Sequence, residues 1–261
     1  MSLARIAVNI CQLVLNQWAT TPPHKAPQEC RFKTKGEGVF GLAPLIFWVS
    51  SVSVCITVRY SLVWSSQLQR PILYFTCTLE LLTIVHYHIL RPELDSSEPI
   101  SSPFCPSSSH TGKLPYLSIT PITMFGILLM AFGTSVRLRC YEALGSLFTF
   151  DLCIKPEHRL VTSGPYNFVR HPAYLGSLCL TVGLTFVGLT HGGWIIECAV
   201  GSHRTGAMFV AQCAWMSWWV YTAGVGYARA VAEDEKMRDK FGEEWERYAV
   251  KVRYWFVPGL V

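Results

Sequence analysis

Residues 119–136 read ITPITMFGILLMAFGTSV, a stretch without a single Asp, Glu, Lys or Arg. Hydrocarbon about 30 Å thick needs about 20 mostly apolar residues in a helix, so this stretch predicts a membrane span. Working outward, four more segments have the same character: Gly41 to Tyr60, Pro71 to Leu90, Tyr174 to Val200 and Met208 to Ala228. The fourth of the five, Tyr174 to Val200, is interrupted at His191-Gly192-Gly193; it ends or breaks there, or forms a hairpin of two shorter pieces. Met1 to Trp18 is moderately amphipathic and no small-residue cleavage site follows, which predicts an interfacial or short membrane helix. The 261 residues are 51% hydrophobic and only 15% charged, against about 25% charged in a soluble domain. The fold expected is all-α: a polytopic helical membrane protein of about five to six transmembrane helices.

The charges lie between the spans. Five spans place the segment before Gly41, the Pro92 to Pro115 loop and the His191 to Ala207 loop on one side. The Arg70 loop, the long loop Arg137 to Arg170 and the C-terminal tail fall on the other. Fourteen of the 22 Lys and Arg lie on the second side, which the positive-inside rule makes cytosolic. The net charge of +5 therefore points to anionic lipid headgroups and away from nucleic acid. Pro92 to Pro115, rich in Ser and Pro, reads as a disordered loop. None of the ten cysteines forms a CxxC pair. Cys55, Cys77, Cys179, Cys198 and Cys213 sit in apolar runs and read as small hydrophobes, with no disulfide framework and no metal site expected.

Chemistry concentrates in the two segments of the cytosolic side. Thr162-Ser163-Gly164-Pro165-Tyr166 is a tight turn. Arg170-His171-Pro172-Ala173-Tyr174 stands at the mouth of a span, where Pro suits the first helical turn. Arg229 and Glu233 share a helix face at the end of the last span. Beyond them, Met237, Phe241, Trp245, Tyr248 and Val252 repeat at helical period, predicting an amphipathic helix that lies on the membrane or closes over a pocket. Each residue has an ordinary alternative. Arg170 and Arg229 can be snorkelling anchors, Tyr166 and Tyr174 belt aromatics, His171 a structural hydrogen-bonder, and the stripe plain packing. These residues alone specify a polar site at the cytosolic interface and leave its chemistry open.

The string HRLVTSGPYNFVRHPAYLG, a following span, and then R-x-x-x-E-D-x-x-M-x-x-x-FGEEW-x-x-Y resembles the isoprenylcysteine carboxyl methyltransferase family. The resemblance covers the chain from Arg137 onward. It implies divergent N-terminal membrane helices over 1–136 and a methyltransferase core over 137–261. By the same resemblance, S-adenosyl-L-methionine is held by His158, Arg159, Leu160, Val161, Tyr166, His171, Pro172, Ala173, Tyr174 and Glu233. Arg229 is the catalytic residue that contacts the substrate. The implied partners are prenylated, CaaX-processed proteins in the endoplasmic reticulum membrane. The stretch Asp151 to Glu157 departs from the animal members: it is shorter, and no Gln stands where they use one for the cofactor. The same cofactor motifs serve phospholipid and other small-lipid methyltransferases. The tail from Phe241 through Pro258-Gly259 is also similar to membrane sterol reductases.

Overall fold

The computed structural model describes residues 3–21, 23, 65–90, 102–107, 115–150, 153, 156–200 and 205–260. Among them the chain is helical, and its extended pairing is limited to an isolated bridge between Ser102 and Cys105. The expected span Gly41 to Tyr60 lies outside the described residues. The helices are α1 (Ala4–Thr20), α2 (Ser65–Val85), α3 (Pro121–Leu144), α4 (Pro172–Gly188), α5 (Thr205–Phe241) and α6 (Glu243–Lys251). Among the described residues, one helical stretch, Pro121–Leu147, is long and apolar enough to cross a membrane, and Pro172–Gly188 is a shorter apolar helix. The described residues of Met1–Asn16, Ser66–Ala131 and Thr181–Met216 form one compact unit; those of Gln17–Ser65, Phe132–Leu180 and Ser217–Val261 form a second.

In the first unit, α1 carries its polar residues inward. Arg5, Asn9, Gln12 and Asn16 are buried, while Leu3, Ile10 and Val14 are exposed. A surface helix in water shows the reverse pattern. Arg5 forks onto Glu80 of α2, its Nε donating to Oε1 at 2.6 Å and its Nη2 to Oε2 at 3.0 Å. Gln12 Nε2 donates to Asn9 Oδ1 at 2.6 Å and to Cys77 Sγ at 3.0 Å. Helices α3 and α4 approach through glycine: a Cβ at Gly126 would lie 2.8 Å from the Gly183 carbonyl oxygen. Small residues permit such close backbone contact between helices.

Two expectations fail in this unit. Cys198 is joined to Cys105 by a disulfide, so it is not simply a small hydrophobe. Cys153, in the second unit, is disulfide-bonded as well. An apolar run reports burial and cannot distinguish a thiol from half a cystine. Residues 102–107 of the Ser/Pro loop are also ordered. Cys105 is fully buried with Ile84, Leu117, Trp194 and Cys198, and the Phe104 carbonyl accepts from Thr83 Oγ1 and from Trp194 Nε1, each at 3.1 Å. The break in the fourth segment falls where Gly192-Gly193 placed it. Helix α4 ends at Gly188, Gly192 adopts φ 88°, and a π-helical turn follows over Ile195–Val200.

In the second unit, α3 continues to Leu144, through the first eight residues of the segment read as loop. Arg137 is the reason. It is buried, not a loop charge. Its Nε donates to the Ala19 carbonyl at 2.6 Å, its Nη2 to Tyr141 Oη at 2.9 Å, and its Nη1 to the Ala173 carbonyl at 3.2 Å and to Ser177 Oγ. A buried cation is tolerated when its donors are satisfied in this way. Beside it, a Cβ at Gly133 would lie 2.5 Å from the Gly176 carbonyl oxygen. Gly242, at φ 52°, separates α5 from α6. The expected amphipathic stripe is therefore split between two helices, and its Trp245, Tyr248 and Val252 are buried.

Candidate active site

The second unit builds a polar site from three pieces. The first is the turn Gly164–Asn167, a short 3₁₀ helix with φ 61° at Gly164 and Pro165 after it. The non-helical segment 158–162 leads into it, with Arg159 exposed and His158, Leu160 and Val161 half-buried. The second is Arg170-His171 followed by α4, which starts at Pro172. The third is the stretch of α5 that carries Arg229, Glu233 and Asp234.

The tail fastens these pieces. The backbone N–H of Arg170 donates to the Tyr254 carbonyl at 2.9 Å, and that of His171 to the Trp255 carbonyl at 2.8 Å. Tyr248 Oη donates to the Tyr166 carbonyl at 2.8 Å. The Arg170 guanidinium lies 4.9 Å from the Trp255 ring and 5.7 Å from the Trp245 ring, within cation–π range. The sequence left α6 either on the membrane surface or over a pocket. The structure instead packs Tyr248 and the residues after it onto the turn and the Arg170-His171 pair.

At the centre lie two adjacent carboxylates. Glu233 Oε1 accepts from Tyr174 Oη at 2.6 Å, and its Oε2 is 3.4 Å from His171 Nδ1. Asp234 Oδ2 accepts from Arg170 Nη1 at 2.6 Å, and its Oδ1 lies 2.9 Å from His171 Nε2. Burial works against a charged His171, but its hydrogen bonds to Asp234 and Glu233 outweigh it and raise its pKa to about 8. Burial also pushes the Tyr166 hydroxyl well above its ordinary value. Arg229, half-buried one turn before Glu233, donates from Nη1 to the Phe150 carbonyl at 3.3 Å.

Tyr174, His171 and Glu233 are thus brought together, and Pro172 and Ala173 start the helix beneath them. Glu233 takes partners from α4 and the residue before it, Tyr174 and His171. Two residues escaped the reading of the sequence. Asp234 was visible only as the neighbour of Glu233 in an acidic run. Arg137 was one more basic residue after an apolar stretch, although its spacing of four from Tyr141 was a signal.

Residues 126–213 match the model of the isoprenylcysteine carboxyl methyltransferase family. A 133-residue stretch, 50% of this chain, is 26% identical to a probable protein-S-isoprenylcysteine O-methyltransferase of Oryza sativa subsp. indica and covers 59% of it. Protein-S-isoprenylcysteine O-methyltransferase of Xenopus laevis is 32% identical over 29% of this chain and 30% of its own length. Protein-S-isoprenylcysteine O-methyltransferase B of Arabidopsis thaliana is 38% identical over 24% of this chain and 32% of its own. The chain spans about a third to three-fifths of the length of these relatives. Through the segment 126–213, which holds both the turn and the Arg170–Tyr174 motif, the chain is similar to the isoprenylcysteine carboxyl methyltransferase family.

Proposed function

We propose that this protein is a membrane-embedded S-adenosylmethionine-dependent methyltransferase that esterifies the C-terminal carboxylate of prenylated cysteine in CaaX-processed proteins. The observation that carries the reading is the Tyr174–Glu233 hydrogen bond at 2.6 Å with Arg229 one turn away on the same helix. It joins the two motifs that define the resemblance into one site.

The donor set suits the cofactor. Glu233 keeps a side chain 34% exposed while Tyr174 and His171 fix its orientation, so it can accept from ammonium or hydroxyl groups. Segment 158–161 leads into the turn, where Tyr166 packs against the cluster of Cys140, Tyr141 and Phe148. When bound, S-adenosylmethionine supplies a methyl group on a cationic sulfur. The substrate carboxylate needs no base, since an α-carboxyl group ionises near pH 3.5. What the chain must do is hold that carboxylate in line and strip part of its water. Arg229 suits this task. Its guanidinium stands half-buried beside the Phe150 carbonyl, and a carboxylate presents a charged, two-pronged acceptor that a guanidinium prefers.

A membrane setting explains the buried polar face of α1 and its apolar exterior, since hydrocarbon accepts apolar side chains and cannot satisfy polar ones. Helices α1 to α5 and the segment Gly41 to Tyr60 are the candidate spans, in the endoplasmic reticulum. The charge bias of the loops supports a site on the cytosolic face. Cys105 and Cys198 lie in loops assigned to the opposite face, where an oxidising lumen favours a disulfide. The Cys153 disulfide, on the cytosolic face, argues the other way. A tag after Val261 in sealed microsomes decides: protection from external protease overturns the orientation.

The functional test uses purified, quantified protein with S-adenosylmethionine and a farnesylated cysteine substrate. Wild type should turn over the prenylcysteine and not phosphatidylethanolamine, and should bind S-adenosylmethionine in preference to NADPH. Arg229→Ala should lower kcat/KM about ten- to hundredfold, from the roughly 1.5–3 kcal/mol of a charge-assisted hydrogen bond, with cofactor affinity unchanged. Arg229→Lys should not rescue fully. Normal turnover in Arg229→Ala removes the carboxylate-clamp role.

A further inference from the structure

The two neighbouring carboxylates of α5 do different work. Both oxygens of Asp234 are taken by the protein, Oδ2 by Arg170 at 2.6 Å and Oδ1 by His171 at 2.9 Å, and its side chain is 12% exposed. Glu233 keeps 34% of its side chain exposed. One residue thus faces the fold and the next faces the site, as expected of consecutive positions on a helix, about 100° apart.

His171 shows what the buried one achieves. Its ring is 7% exposed and has a carboxylate oxygen facing each nitrogen, Asp234 at 2.9 Å and Glu233 at 3.4 Å. A neutral imidazole has one N–H and can donate to only one of them; the imidazolium donates to both. The other groups around it are Arg170, already bound to Asp234, Tyr174, whose hydroxyl is on Glu233, and the rings of Trp255 and Phe256. The positive ring therefore bridges the carboxylate that anchors the turn to the carboxylate that faces the cofactor. Without its second proton, Nδ1 presents a lone pair to Glu233 Oε2, and the bridge turns repulsive on that side.

We propose that Asp234 is the positioning residue of this site: by holding Arg170 and keeping His171 doubly protonated, it fixes the geometry of Glu233 without touching the cofactor. The proposal rests on the reading of Glu233 as a cofactor ligand. It makes His171 an internal bridge, with both ring nitrogens turned to protein carboxylates. The bridge also makes the site sensitive to pH. The folded-state pKa of His171 is raised from 6.5 to about 8. The bridge therefore contributes fully below about pH 6.5 and is lost as pH rises through about 8.

The test measures S-adenosylmethionine affinity and thermal midpoint against pH from 6 to 9.5 on the full chain in nanodiscs. Wild type should show one inflection near pH 8 in both quantities. Asp234→Asn should move it down by about one unit or more, as expected when a charged partner becomes a neutral one. Asp234→Glu should restore most of that shift, and His171→Gln should abolish the inflection. An unmoved inflection in Asp234→Asn, or one that persists in His171→Gln, overturns the proposal. If Asp234→Asn does not fold, Asp234→Glu decides: an inflection kept near pH 8 agrees with a carboxylate at 234 holding the bridge, and one lowered or lost overturns the proposal. Wild type that binds no S-adenosylmethionine at any pH overturns the cofactor reading, and the thermal inflection then judges the bridge on its own.

Discussion

Removing Glu80 should destabilise the first unit severely, and removing Arg5 with it should not. The carboxylate accepts a two-pronged fork from Arg5 at 2.6 and 3.0 Å, with side chains 5% and 1% exposed. Such a pair gains little over apolar residues of similar size, because both ions are desolvated. Breaking it leaves a buried charge without its counter-ion, at about 3–5 kcal/mol. Glu80→Ala should therefore lower the thermal midpoint of detergent-purified protein sharply or abolish expression. Arg5→Met combined with Glu80→Leu fills the space without charge and should recover to within about 1 kcal/mol of wild type or better. Chemical denaturation of the three proteins, read by Trp fluorescence, gives the comparison, and methyl transfer by the double variant shows whether the pair also serves the reaction. A Glu80→Ala protein as stable as wild type, or a double variant no better than the single, would refute the argument that α1 is held by a desolvated ion pair.

Further outcomes follow from the same contacts. Tyr174→Phe removes the 2.6 Å bond to Glu233 and, discounted for the partial exposure of that carboxylate, should weaken S-adenosylmethionine binding about fivefold to tenfold by calorimetry, from roughly 1–1.4 kcal/mol. Gly133→Val drives a side chain into the Gly176 carbonyl, 2.5 Å from the new Cβ, and should cost about 1–3 kcal/mol or prevent folding; a thermal midpoint equal to wild type would contradict the close helix approach. Cys105→Ser opens a linkage across 93 residues and should cost about 2–5 kcal/mol, with Cys198 becoming reactive to maleimide without reduction.

The parts of this fold that the sequence exposes are those where one property suffices. An uncharged run over 119–136 needs only its length to be a span, and Gly192-Gly193 needs only the absence of side chains to break one. The Cys105–Cys198 bond was not legible, since its halves stand 93 residues apart, one in a Ser/Pro-rich loop and one in an apolar run. Helix α1 has an amphipathic pattern but no mark of which face turns inward, and that depends on whether its surroundings are water or lipid. In the site, Tyr174 and Glu233 were reached through motif resemblance. Asp234 and the tail carbonyls of Tyr254 and Trp255 were not. A backbone carbonyl carries no sequence signal, and two adjacent acids look equivalent until a helix turns them to different sides.

The position of the site follows from the length of α5. Within the second unit α5 runs unbroken from Ser217 to Phe241, roughly 37 Å at 1.5 Å per residue. The apolar part ends near Ala228, and α5 continues to Phe241. Arg229, Glu233 and Asp234 therefore stand on the first turns that emerge from the apolar segment. A break there would leave them in a loop, where the 100° between Glu233 and Asp234 would not be fixed and the two carboxylates could exchange partners. Held on one rigid helix, Asp234 can only face Arg170 and His171, and Glu233 can only face Tyr174 and the open side. Under the proposed function the same continuity serves two substrates of opposite polarity. A lipid tail can stay beside the apolar turns below Arg229 while a polar cofactor reaches Glu233 one turn above, so the reacting groups meet where neither has to cross into the other's solvent.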